Sequence, residues 1–378
     1  IHVNLVSVLL YTLSGFLLGF ANPLSLAVFI IAMSVTHTFL DSIPSIFLGA
    51  PDPDMALSVL PGHRLLLDGK GFEAVKLTVI GSLLALIATV GLIPILLPLV
   101  PLIYSTVQPF MGYILLFVVV YMILIEKKLV KIVYSVILFI LTGVLGLITI
   151  NWPNLQQPLF PLLSGLFGTS TLLLSIGQTS KLPKQSCSET IKIKKSITFK
   201  AISAAVFSGS LTGIFPGLGA AQASIIGMNL VGDIKDYGFM ILIGGINTVN
   251  FTFSLATLYA LEKARNGAVV VVSQLLSVGR IELVVLLCAG LIAGGVATYL
   301  ALGISKVAAT LITKINYKVL VISIISLITL LTLVLSGIVG LMILIVSTAA
   351  GMIAPLVGVK RSHAMGCLML PVILFFML

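Results

Sequence analysis

The chain has 378 residues, 59% of them hydrophobic and only 8% charged, and carries a formal net charge of +10. Ordinary soluble domains are roughly 25% charged, so this composition excludes a water-facing enzyme and fits a protein whose solvent is a bilayer. In such a chain the basic surplus belongs to cytoplasmic loops, and nucleic acid is not the expected partner.

Long apolar runs occupy 3–20, 24–48, 77–99, 102–125, 129–150 and 159–178. A second set occupies 201–231, 237–261, 267–278, 281–304, 319–336, 338–357 and 363–378. One span takes about 20 mostly apolar residues, so a polytopic all-α membrane protein is expected. The longest polar stretch carries Lys181, Lys184, Lys192, Lys194, Lys195 and Lys200 against Glu189 alone. It reads as a cytoplasmic linker, 181–200, between a first transmembrane repeat at 1–180 and a second at 201–378. Cys187, Cys288 and Cys367 have no paired spacing and read as small apolar residues.

Loop charges constrain the crossings. Arg64, Lys70 and Lys76 lie two spans from Lys127, Lys128 and Lys131, and these lie two spans from the 181–200 linker, so all three clusters share the cytoplasmic side. Lys306, Lys314 and Lys318 are likewise two spans from Lys360 and Arg361. Both groups are cytoplasmic if 201–231 and 267–278 enter and return as re-entrant hairpins, with counterparts at 1–20 and 43–62. Each half then holds about five transmembrane helices plus two re-entrant hairpins, and an odd number of spans makes the halves inverted repeats.

Polar residues inside apolar runs mark where chemistry is expected. The first cluster includes His37, Asp41, Ser42, Ser45 and Asp52, the last between two prolines that forbid regular helix. His37 and Asp41 stand one helical turn apart, which suits either a hydrogen-bonded pair or a coupling site for a proton or cation. The second cluster is Gly213 to Gly219, with Gln222 after it; Pro216-Gly217 breaks the chain and Leu218-Gly219 leads into a new helix. The N–H groups at that helix start suit a carboxylate or phosphate, while a Gly-rich packing kink is the plain alternative. A third cluster, Asn247, Thr248, Asn250, Thr252 and Ser254, suits Na⁺, a solute or interhelical hydrogen bonds equally. Glu262, Lys263 and Arg265 follow as an interfacial turn in which Arg265 is also a candidate counter-ion. No catalytic motif, cofactor signature, metal-ligand spacing or P-loop is present in the sequence.

At Gly213-Ile214-Phe215-Pro216-Gly217-Leu218-Gly219 the sequence resembles the G-x-x-P-G-L-G segment of the TctA family, the large membrane subunit of tripartite tricarboxylate transporters. Ser42 to Pro51 is similar to that family's S-I-x-A-I-L-L-x-x-P-G segment, and Lys360 to Gly366, followed by Pro371, to its C-terminal ending. The resemblance covers most of the chain and is closest to archaeal members. It implies that Ile1-His2-Val3-Asn4 follows a first Pro-Gly break, so that His2 and Asn4 are the counterparts of Leu218, Gly219 and Ala220. One departure stands out: Asp52-Pro53-Asp54 occupies a place where tricarboxylate members carry a Ser/Thr-rich run, and two carboxylates there repel a trianion unless a cation or proton lies between them.

The sequence therefore points to a secondary active transporter of a small organic anion, working by alternating access and coupled to H⁺ or Na⁺. His2, Asn4, Ser45, Pro216, Gly217, Leu218, Gly219, Gln222, Asn247 and Asn250 are expected to bind substrate, and His37, Asp41 and Asp52 the coupling ion or proton. A flippase for a lipid-linked phosphate such as polyprenyl phosphate is the alternative, and an intramembrane enzyme built on His37, Asp41 and His63 a remote third. The expected setting is the cytoplasmic membrane. The expected partners are the lipid bilayer, the anionic solute, a small membrane subunit or extracytoplasmic binding protein, and a second copy in a homodimer.

Overall fold

A computed structural model describes residues 22–48, 59–126, 128–155, 157–176, 183–187, 191, 193–215, 219–232, 234–312 and 317–378. Among them the chain is helical throughout, with no strand. In chain order the helices are α1 (Pro23–Leu40), α2 (Val59–Leu67), α3 (Gly71–Leu96), α4 (Leu99–Val107), α5 (Met111–Leu124) and α6 (Leu129–Ile150). Next come α7 (Leu159–Leu163), α8 (Ser170–Ile176), α9 (Lys195–Ile214), α10 (Ala220–Val231) and α11 (Lys235–Leu261). The chain ends with α12 (Gly267–Leu275), α13 (Arg280–Ile312), α14 (Tyr317–Val357) and α15 (Gly366–Met377). π-Helical segments at Pro44–Leu48 and Ser164–Thr169 extend α1 and join α7 to α8.

Eight helices among the described residues are long and apolar enough to cross a membrane. This is a polytopic, all-α membrane protein. α2 and α12 have nine residues each, about 14 Å of helix, and fall well short of the roughly 30 Å hydrocarbon core. α14 has the opposite problem. Its 41 residues would reach about 60 Å if straight. Gly337 interrupts it with φ 64° and ψ −159°, a backbone state open to glycine alone. Val321, Ile324 and Ile328 before the break share one apolar cluster with Leu344 after it and with Leu172, so the two limbs fold back together. The break falls between the runs 319–336 and 338–357 expected from hydropathy.

The chain forms two compact units, each drawing on both halves of the sequence. The first comprises Ile1–Ile43, Phe72–Thr106 and Cys187–Val307. Its centre is α11: 89% of the most apolar stretch of α11 is buried, against 28–44% for the other seven candidate spans. α9 runs parallel to α11, since Ile197 faces Gly238, Ala205 faces Gly245, Gly209 faces Val249 and Gly213 faces Phe253, in step along both helices. α10 turns back along α9, bringing Gly227 to Ser208. α3 crosses α11 at backbone contact: a Cβ on Gly81 would lie 2.0 Å from the Ile241 carbonyl oxygen, and one on Gly244 2.3 Å from that of Thr78. Small residues at a crossing are how helices approach in a bilayer, where burial of apolar surface no longer drives association.

The second unit comprises Pro44–Gly71, Val107–Ser186 and Ala308–Leu378. α6 packs on α15 through Gly143 and Gly146, which face Leu370 and the Cys367 carbonyl. The π-helical segment Ser164–Thr169 packs on α14, where Gly351 lies against the Leu166 carbonyl and Thr169 Oγ1 meets Thr348 Oγ1 at 2.5 Å.

Candidate functional site

The first unit gathers polar side chains around the C-terminal end of α1. Asp41 caps that helix, its N–H donating to the His37 carbonyl at 2.9 Å. Its carboxylate is 6% exposed and accepts from Asn247 Nδ2 at 2.5 Å, across 206 residues of sequence. The same amide lies 3.5 Å from the Thr38 carbonyl. Thr38 and Thr248 hydroxyls meet at 3.2 Å, and Thr78 donates to the Ser42 hydroxyl at 2.9 Å. Next along α11, Asn250 Oδ1 accepts from Thr212 of α9 at 2.7 Å. Asp41, Asn247 and Asn250 thus lie along one polar seam through α1, α11 and α9, with His37 half-buried on the preceding turn of α1.

The electrostatics of this seam follow from its depth. Asp41 lies in the candidate span Pro23–Phe47, where an ionised carboxylate is expensive unless a proton or cation joins it. A helix C-terminus adds partial negative charge of its own. Carboxylate, carbonyl and hydroxyl oxygens are hard donors, the kind that suits a proton or an alkali or alkaline-earth cation rather than a soft metal.

A second feature of the unit lies where α9 ends. Arg265 Nη2 donates to the carbonyl of Ile214, the last residue of α9, at 3.1 Å, and its guanidinium carbon lies 5.5 Å from the Tyr104 ring centroid. Lys263 Nζ donates to the Tyr104 hydroxyl at 3.0 Å and lies 4.5 Å from the same centroid. Neither cation forms an ion pair among the described residues. Two cations on one aromatic ring, beside the end of α9, make this corner strongly positive. The charge run Glu262–Arg265 reads from sequence as an interfacial turn; what hydropathy does not carry is that the turn folds back to the end of α9.

The remaining expected residues fall elsewhere. Ser45 is fully buried in the π-helical segment Pro44–Leu48 of the second unit. Gly219 precedes α10, its carbonyl accepting from Ala223 N–H at 3.0 Å, and Gln222 sits in the first turn of that helix. His2, Asn4, Asp52, Pro216, Gly217 and Leu218 lie outside the described residues. His63, in α2 of the second unit, is 7% exposed; burial holds its imidazole below the ordinary histidine pKa, against a smaller opposing effect of its hydrogen bond to the Ile46 backbone.

Residues 1–366 match the tripartite tricarboxylate transporter TctA family. The chain belongs to that family. It is similar to an uncharacterized protein of Methanocaldococcus jannaschii, with 26% identity over 363 residues that cover 92% of this chain and 88% of the relative. No solved structure matches it. Membership of the TctA family makes this chain a component of a membrane transporter and points to a role in transport, one that its family fulfils together with other transporter components.

Proposed function

We propose that this TctA-family chain is the substrate-translocating subunit of a secondary transporter for a small organic anion, coupled to H⁺ or Na⁺ and seated in the cytoplasmic membrane. The observation that carries the reading is the buried Asp41 carboxylate held by Asn247 among hydroxyl and carbonyl oxygens. A carboxylate at that depth is a cation or proton site by default. In this reading Asp41, with His37 on the preceding turn, takes the coupling ion. Asn250, Gly219, Gln222 and the Pro216 to Leu218 break take the anion, with His2 and Asn4 completing the site.

Arg265 and Lys263 support the anionic character of the substrate. A carboxylate reaching the break at the end of α9 meets two cations that form no ion pair among the described residues. Family membership supports a carboxylate over a lipid-linked phosphate, and a small membrane subunit, an extracytoplasmic binding protein and a second copy are the partners this reading carries.

Alternating access requires two halves that exchange roles, and the order of elements supports inverted repeats. α1, α2 and α3 are echoed by α11, α12 and α13, with nine residues in both α2 and α12. In the first unit α3 crosses α11 at Gly81 and Gly244, and α13 reciprocally meets α1 where Gly290 lies against Val35 and Ile31. Such a pair of crossings is what inverted repeats produce.

Uptake of labelled di- and tricarboxylates into proteoliposomes, with and without imposed Na⁺ and pH gradients, tests the proposal. Gradient-dependent uptake is expected. Absence of uptake of any soluble anion, with retention of a polyprenyl phosphate, would replace it with the flippase reading.

A further inference from the structure

Arg361 of the second unit is a charged residue with too few partners. It opens the 3-10 turn Arg361–Met365 that leads into α15 and is 9% exposed. Nη1 donates to the Thr171 hydroxyl, Nε is enclosed without an acceptor, and no carboxylate among the described residues pairs with it. The acid that does reach this turn, Glu126, is committed elsewhere: Oε1 accepts from the Lys360 N–H at 3.3 Å and lies 3.3 Å from His363 Nε2. Lys131 adds a further positive charge, its Nζ lying 3.8 Å from the position of a Cβ on Gly358. An enclosed guanidinium whose one partner among the described residues is neutral is costly, and an anion brought to it offsets that cost.

Lys131 stands near the start of α6 and Arg361 just past the end of α14, and an apolar groove runs between these two helices. Leu141, Leu145 and Ile148 of α6 face Val346, Ala349 and Ile353 of the second limb of α14 across about 400 Å³ of space with no charged lining. Leu138, Ala354 and Val359 close the stretch between the groove and the basic end. From Lys131 to Leu141 is ten residues of α6, or about 15 Å, a span that a lipid covers with its glycerol and the first several carbons of a tail, so that the rest of the tail lies in the groove. Basic groups at the cytoplasmic end of transmembrane helices recognise anionic headgroups, and the loop charges put this end on the cytoplasmic side.

The geometry points to an anionic-phospholipid site on the second unit, with the phosphate at Arg361, Lys131 and Lys360 and one tail in the groove between α6 and α14. The occupant is a lipid rather than a free anion because charge and groove lie end to end on one pair of helices. The site does not depend on the transport reading.

The test is native mass spectrometry of the detergent-purified full chain with phosphatidylglycerol, with phosphatidylcholine of the same tails, and with inorganic phosphate. Phosphatidylglycerol is expected to bind preferentially. Each removed cation weakens it about fivefold, so the Lys131→Gln/Lys360→Gln double variant loses about 25-fold for that lipid and leaves phosphatidylcholine unchanged. Ala349 is exposed, so Ala349→Trp fills the groove without disturbing the core and is expected to weaken both lipids. Equal binding of the two lipids, a preference that survives the double lysine variant, or phosphate displacing the lipid with no effect of Ala349→Trp would each overturn the assignment.

Discussion

Asp41 and Asn247 are separated by 206 residues and joined by a 2.5 Å hydrogen bond between two membrane helices. Each residue alone is an ordinary polar interruption in an apolar run. Together they place an ionisable group and a neutral amide at the contact between α1 and α11. A group that gains or loses charge at this contact alters how α1 sits against α11, and that is the kind of element a coupled transporter requires.

Replacement of Asp41 by asparagine keeps a hydrogen-bonding side chain and removes the charge. With the coupling ion at Asp41, Asp41→Asn protein reconstituted in liposomes is expected to fold and bind solute but to show no stimulation by an imposed Na⁺ or pH gradient. Uptake that still rises with the gradient to the wild-type extent would place coupling elsewhere.

The crossing of α3 and α11 predicts a contrast between two glycines on one helix. A Cβ at Gly81 would lie 2.0 Å from the Ile241 carbonyl oxygen, whereas one at Gly91 meets nothing within 4 Å. Gly81→Ala is expected to destabilise by about 1–3 kcal/mol, because backbone rather than a flexible side chain must move. Gly91→Ala is expected to be neutral or to stabilise by about 0.5–1 kcal/mol through helix propensity. Thermal unfolding of the detergent-solubilised variants measures both.

His63 predicts a pH dependence in the second unit. Burial lowers its folded pKa below the ordinary value of 6.5, so the unfolded chain binds the proton more readily than the folded one. The stabilisation is then fully present above pH 6.5 and is lost as pH falls through the folded pKa. The wild-type melting temperature should decline from pH 7.5 to pH 5.5 more steeply than that of His63→Gln; parallel curves would show that His63 does not titrate in this window.

Much of this fold is legible in the sequence because the bilayer imposes length and apolarity on every span. The runs 129–150 and 237–261 agree with α6 and α11 to within two residues, and Gly337 divides α14 where hydropathy dips. Pairing is another matter. Polarity marks Asp41 and Asn247 as unusual, but only the crossing of α1 and α11 makes them partners. Glu126 and His363 are 237 residues apart, and their contact depends on how α15 returns along α6. The partner of Arg265 is hidden for a similar reason: the sequence marks Arg265 as an interfacial residue or counter-ion, but does not encode the fold of that turn onto Ile214.

Arg265 carries the last prediction. Its guanidinium holds the final carbonyl of α9 and, with Lys263, flanks Tyr104 without an opposing carboxylate among the described residues. Under the proposed function an anionic substrate arriving at the break would pair with that charge, and charge-assisted hydrogen bonds of this kind are worth about 10- to 100-fold in affinity. Arg265→Gln should therefore raise the KM for a carboxylate substrate within that range while leaving the maximal rate of uptake nearly unchanged, and Arg265→Lys should restore part of the affinity. A purely structural role, capping α9 and nothing more, predicts the other pattern: Arg265→Gln lowers the melting temperature and the maximal rate together, and KM stays where it was.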